Sequence, residues 1–93
     1  MMSQIPIDLK KIKGKDIDKE ILRVGIIAEL DAINLYEQMA AMTENETIRK
    51  VLLDIAKEEK THVGEFQALL LREDEEQEKE LEKGKEEIEE LTG

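Results

Sequence analysis

Apolar positions recur at alternating steps of four and three along two stretches of this chain. In the first, Leu22, Ile26, Ile33 and Ala40 share a row with Glu29 and Tyr36. In the second, Ile48, Leu52, Ile55, Phe66 and Leu69 share a row with Glu59 and His62. That alternation is the seam of a packed α-helix. It predicts one helix over about residues 17–42 and a second over about 46–72, neither containing the chain's single proline, Pro6. Asp16 is placed to cap the first helix. Thr43-Glu44-Asn45-Glu46 breaks the periodicity, and Thr43 followed three places later by Glu46 reads as a capping box for the second helix. The first 15 residues read as an irregular basic lead-in punctuated by Gly14.

Two antiparallel helices joined by so short a turn form a hairpin, in which each helix has one neighbour. Leu22, Ile26, Ile27, Leu30, Ile33 and Leu35 nevertheless span a wide arc of the first helix. A hairpin cannot enclose that much apolar surface. The expectation is an all-α fold, residues 1–93 as a single domain, in which the hairpin dimerises with a second copy to complete a four-helix bundle.

Charge separates the rest of the chain. Residues 1–72 carry 13 acids and 11 bases, whereas residues 73–93 carry 11 acids and 3 bases. The last segment has only Leu81, Ile88 and Leu91 as large apolar residues. It reads as a solvated acidic tail or short acidic C-terminal helix with little to dock. A net charge of −10 disfavours nucleic acid and anionic membranes as partners. The absence of cysteine removes disulfides, iron–sulfur clusters, thiolate zinc sites and thiol nucleophiles. No apolar run is long enough to span a membrane.

Glu29, Glu59 and His62 interrupt apolar rows, and neither row contains a basic residue. A carboxylate in such a seam must be paired or bound to metal. Each residue taken singly has a plainer reading: a lone Glu is usually a surface residue, a lone His is usually hydrogen-bonded, and Glu-x-x-His arises often by chance. The conjunction is more specific. Glu29 and Glu59 are 30 residues apart, with the turn near residue 44 midway between them. In an antiparallel hairpin they lie at one level, and His62 follows Glu59 by one turn on the same face. Three ligand types converge there. Tyr36 and Phe66 read first as packing residues, with the Tyr36 hydroxyl a candidate hydrogen-bond donor behind the ligands. Gly25, one turn before Glu29, suggests a close helix crossing. One chain supplies half of a di-iron carboxylate site, which needs a Glu from each of two helices and a Glu-x-x-His from each of the other two. Two chains supply four carboxylates, which balance two divalent ions at a subunit interface.

AELDAINLYEQMA (residues 28–40) and KEEKTHVGEF (57–66) closely resemble the encapsulated ferritins, a half-size branch of the ferritin-like superfamily. The resemblance covers about residues 20–72, and the closing EELTG is similar to the segment that leads into a fused shell protein in some archaeal members. It implies ferroxidase activity, Fe(II) being oxidised at one di-iron centre per dimer, with Glu29, Glu59 and His62 as ligands and Tyr36 beside them. It also implies a homodimer, a ring-shaped decamer built from such dimers, an encapsulin shell protein as partner, and a cytoplasmic location within the nanocompartment. Some members have two acids before the Leu-Asp. Here the first is Ala28, so of a further metal-gathering site only Asp31 would remain. No shell-docking peptide ends the chain, so the expectation is either a shell protein fused in a longer polypeptide or a chain without a shell. Two alternatives stand against the ferroxidase. A rubrerythrin-like peroxidase usually needs a second, cysteine-bound iron. A non-enzymatic helical-bundle adaptor would fold normally and take up no iron.

Overall fold

The computed structural model describes residues 16–93, so the expected lead-in with Gly14 lies outside the described residues. Three helices follow one another: α1 Asp16–Met42, α2 Glu46–Glu73 and α3 Glu75–Thr92. Among the described residues there is no strand. Asp16 falls in the first turn of α1 with Asp18, where negative charge meets the positive end of the helix dipole.

The turn is built differently from the capping box expected of it. Asn45 is the N-cap of α2, and its side-chain oxygen accepts from the backbone N–H groups of Thr47 (3.0 Å) and Ile48 (3.1 Å). Thr43 lies two residues before that cap and instead accepts from the Asn45 N–H at 3.1 Å. Glu46 pairs with Arg49. Arg49 then reaches back across the turn, donating from Nε to the Ala40 carbonyl at 3.1 Å and from a terminal nitrogen to the Thr43 carbonyl. The last turn of α1 has no basic residue of its own. Arg49 therefore supplies both donors and positive charge to the carbonyls that α1 leaves unpaired.

The line along which α1 and α2 meet follows the apolar row of α1 but runs beside that of α2. Its most buried apolar residues are Ile33 and Ala40 on α1 and Ala56 and Leu70 on α2. Ile33 and Ala40 are seven residues apart, and Arg49, Ala56, Val63 and Leu70 repeat every seven. A seven-residue repeat keeps one line of side chains facing a neighbouring helix. The alanines at 1–2 % exposure let the backbones approach. The row from Ile48 to Leu69 is displaced onto the flank of this contact. Ile48 stays 49 % and Leu69 45 % exposed, and Leu30 on α1 stays 49 % exposed. One hairpin thus leaves a broad apolar face uncovered.

α2 ends at one residue. Asp74 has φ −137° and ψ 87°, outside helical values, and serves as C-cap of α2 and N-cap of α3 together. Its N–H donates to the Leu70 carbonyl at 2.9 Å, and its Oδ1 accepts from the Gln77 N–H at 3.0 Å. Its Oδ2 accepts from Arg23 of α1 at 2.7 Å. Asp74 is only 8 % exposed. Were α3 a straight continuation of α2, the 46 residues would run about 69 Å at 1.5 Å per residue. The longest extent of the molecule is 46 Å and the next 44 Å, so α3 leaves the hairpin at a wide angle. It buries none of its residues, and Leu81, Ile88 and Leu91 face solvent. The tail is therefore an 18-residue helix rather than a frayed end.

Candidate metal centre

Glu29 comes from the middle of α1, and Glu59 and His62 come from successive turns of α2. Counting equal distances from the Ala40–Arg49 contact brings Glu29 level with residue 60, between its two partners on α2. One ligand atom from each residue lies within 4.8 Å of the others, and this is the one such cluster of potential ligands among the described residues. The Nδ1 atom of His62 stands 3.5 Å from an oxygen of Glu29 and 3.5 Å from an oxygen of Glu59.

These separations are long for hydrogen bonds, whose N–H···O distances rarely exceed about 3.2 Å. They suit a shared ion better. Ligands about 2.1 Å from one metal stand about 3.0 Å apart when at right angles and about 4.2 Å apart across it. The Glu29 oxygen nearest His62 is buried and has no hydrogen-bond partner. Such an acceptor costs about 1–3 kcal/mol relative to a satisfied one. A donor set of two carboxylates and one imidazole, with an orphaned buried oxygen in it, fits a divalent transition metal.

The remaining residues define the surroundings. Glu29 and Glu59 are one-fifth exposed at the side chain, and His62 is nearly half exposed. The opening is a cleft of about 310 Å³ lined by Glu29, His62, Glu65, Phe66 and Leu69. Its apolar wall depends on Gly25, because a Cβ there would lie 3.2 Å from the Phe66 ring. The close crossing suggested by that glycine is the contact of the ring with the α1 backbone. Tyr36 is half-buried but lies seven residues from Glu29, a rise of about 10 Å, so it stands away from the cluster within one chain. Asp31 is two residues past Glu29 on a different face of α1 and outside the cluster. Two residues were not singled out by the sequence patterns. Glu65 lines the cleft one turn beyond His62, a position that spacing alone indicates. Asp74 looked like one acid among many in an acidic tail.

A helical hairpin of this kind has the fold of a half-ferritin. The profile of the EncFtn-like family matches residues 5–90, and the chain belongs to that family. The structure is similar to the crystal structure of the encapsulated ferritin domain from Pyrococcus furiosus. The TM-score is 0.85 at 62 % identity, covering 96 % of this chain and 89 % of that one. A curated relative, the ferritin-like–encapsulin shell fusion protein of Pyrococcus furiosus, is 69 % identical over 74 residues, 80 % of this chain and 21 % of that protein. The encapsulin nanocompartment cargo protein EncC of Myxococcus xanthus is 38 % identical over 68 residues, 73 % of this chain and 52 % of that protein. The chain thus spans about a fifth and about half of the lengths of these two relatives. No described helix is long and apolar enough to cross a membrane.

Proposed function

We propose that this protein is a ferroxidase: two chains pair their open faces and oxidise Fe(II), as substrate, at a site made by Glu29, Glu59 and His62 of each. The observation that carries this reading is the buried, partnerless Glu29 oxygen 3.5 Å from His62. Carboxylate oxygens are hard donors and favour the ferric product, while an imidazole suits the ferrous substrate. Two chains bring four carboxylates and two imidazoles to two irons. Two Fe(II) release two electrons, and dioxygen takes up those electrons with two protons to give hydrogen peroxide. Glu29 and Glu59 hold the substrate ions, and His62 fixes their position from the solvent side. Phe66 and Leu69 keep the cleft's wall apolar, which strengthens the carboxylate–metal attraction by excluding water.

The uncovered row on α2, with Ile48 and Leu69 nearly half exposed, supports pairing with a second copy. A ring of such pairs and association with an encapsulin shell belong to the same proposal. They are supported by the relatives' names. No observation favours the peroxidase or adaptor alternatives. The test is stopped-flow Fe(II) oxidation by assembled protein, followed by ferric absorbance. A wild-type rate no faster than iron in buffer would rule the ferroxidase out.

A further inference from the structure

We infer that Glu65 captures the incoming cation and delivers it to Glu29, Glu59 and His62. The inference rests on the site proposed above and adds a residue to it. Glu65 follows His62 by three residues on α2, so it presents its carboxylate to the same side one turn further on. Glu29, His62 and Glu65 line one cleft, whose remaining walls are Phe66 and Leu69. No lysine or arginine lines that cleft. In the single chain Glu65 is exposed and makes no ion pair or side-chain hydrogen bond; it stands beside the row Glu59, His62, Phe66 and Leu69 rather than in it, at the rim of the face that pairing covers, whereas the nearby Lys60 is taken by Glu37 at 3.0 Å. The cleft therefore has an outer carboxylate in water and an inner one whose buried oxygen lacks a partner.

A hydrated cation moving inward meets Glu65 while it still keeps its water. It then exchanges that water for the inner oxygens, the carboxylates being closer together and drier with each step. A carboxylate at a narrow, apolar-walled mouth raises the local cation concentration and so the rate of loading. It leaves the oxidation step unaltered, because the inner ligands are unchanged.

The experiment compares wild type, Glu65→Gln, Glu65→Asp and Glu73→Gln as assembled protein. Glu73 is a charge control that lines a different cleft, with Asp18, Ile21, Leu22 and Leu69. Fe(II) oxidation is measured against Fe(II) concentration, and Co(II) binding is titrated separately by its visible spectrum. In Glu65→Gln the half-saturating Fe(II) should rise about three- to tenfold with the maximal rate preserved. Glu65→Asp should recover most of the loss, and Glu73→Gln should match wild type. Added salt should narrow the gap between Glu65→Gln and wild type. Equal half-saturation in wild type and Glu65→Gln would overturn the role of Glu65 and leave the inner site standing. Weaker Co(II) binding by Glu65→Gln than by wild type, with no Fe(II) oxidation by wild type, would keep the capture role and remove the ferroxidase.

Discussion

The imidazole of His62 stands 3.5 Å from a carboxylate oxygen of Glu29 on the opposite helix, and that oxygen is buried without a hydrogen-bond partner. Glu59 approaches the same imidazole nitrogen at 3.5 Å. Two carboxylates held this close, with no lysine or arginine paired to either, repel each other unless a cation lies between them. Replacing either ligand on α2 should therefore remove function without removing fold. Glu59→Ala and His62→Ala are each expected to slow Fe(II) oxidation by about a hundredfold or more while far-ultraviolet circular dichroism stays helical. Stopped-flow traces at the wild-type rate in either variant would exclude the site.

The contact of Phe66 with Gly25 gives a stability prediction. Alanine at an open helix position gains about 1 kcal/mol over glycine. At Gly25 the new Cβ would stand 3.2 Å from the ring, so the ring must shift. Gly25→Ala should then be near neutral, and Gly25→Val should cost about 1–3 kcal/mol through overpacking. Urea unfolding midpoints at constant slope measure both. A clear gain in Gly25→Val would show that the ring has room to move.

Asp74 should hold α3 at its angle to the hairpin. The Gln77 N–H, above all, holds its carboxyl below the usual carboxylate range; burial opposes this, and Arg23 and Lys19 reinforce it. A carboxyl whose value is lowered in the folded state contributes stability above its ordinary range and loses it as pH falls through the lowered value. The angle should thus be constant from neutral pH down to about pH 4 and loosen only below that. Asp74→Ala should loosen it at every pH. Spin-label distances between α1 and α3 report it directly. An unchanged narrow distribution in Asp74→Ala would mean that the angle is set elsewhere.

Much of this architecture was legible in the sequence, because helix limits depend on local periodicity. The expected ranges 17–42 and 46–72 differ from Asp16–Met42 and Glu46–Glu73 by a single residue at each altered end. The convergence of Glu29, Glu59 and His62 was legible for a related reason: in a short-turn hairpin, distance from the turn fixes level. Three features were not. Thr43 and Asn45 both suit an N-cap, and only the backbone path decides between them. The apolar row of α2 reads as its internal seam, yet the internal contact runs through Ala56 and Leu70 beside it, while that of α1 does run through Ile33 and Ala40 of its row. Small residues give little hydrophobic signal but permit the closest helix approach. Asp74 was hidden among glutamates, since its partner Arg23 is 51 residues away.

The central claim is that one chain carries half of a site that a second chain completes. Without metal, pairing brings four carboxylates into an apolar seam, where they cannot all stay ionised cheaply. A cation that binds only the paired state stabilises it by mass action, about 2.7 kcal/mol at a hundredfold excess over its dissociation constant. The direct measurement is sedimentation velocity of wild type and Glu29→Ala over a dilution series, with anaerobic Fe(II) or Zn(II) and with chelator. Metal should shift wild type towards dimers and larger species at concentrations where metal-free protein dissociates, chelator should reverse the shift, and Glu29→Ala should weaken it. An identical mass distribution with and without metal at those concentrations would contradict a site shared between two chains.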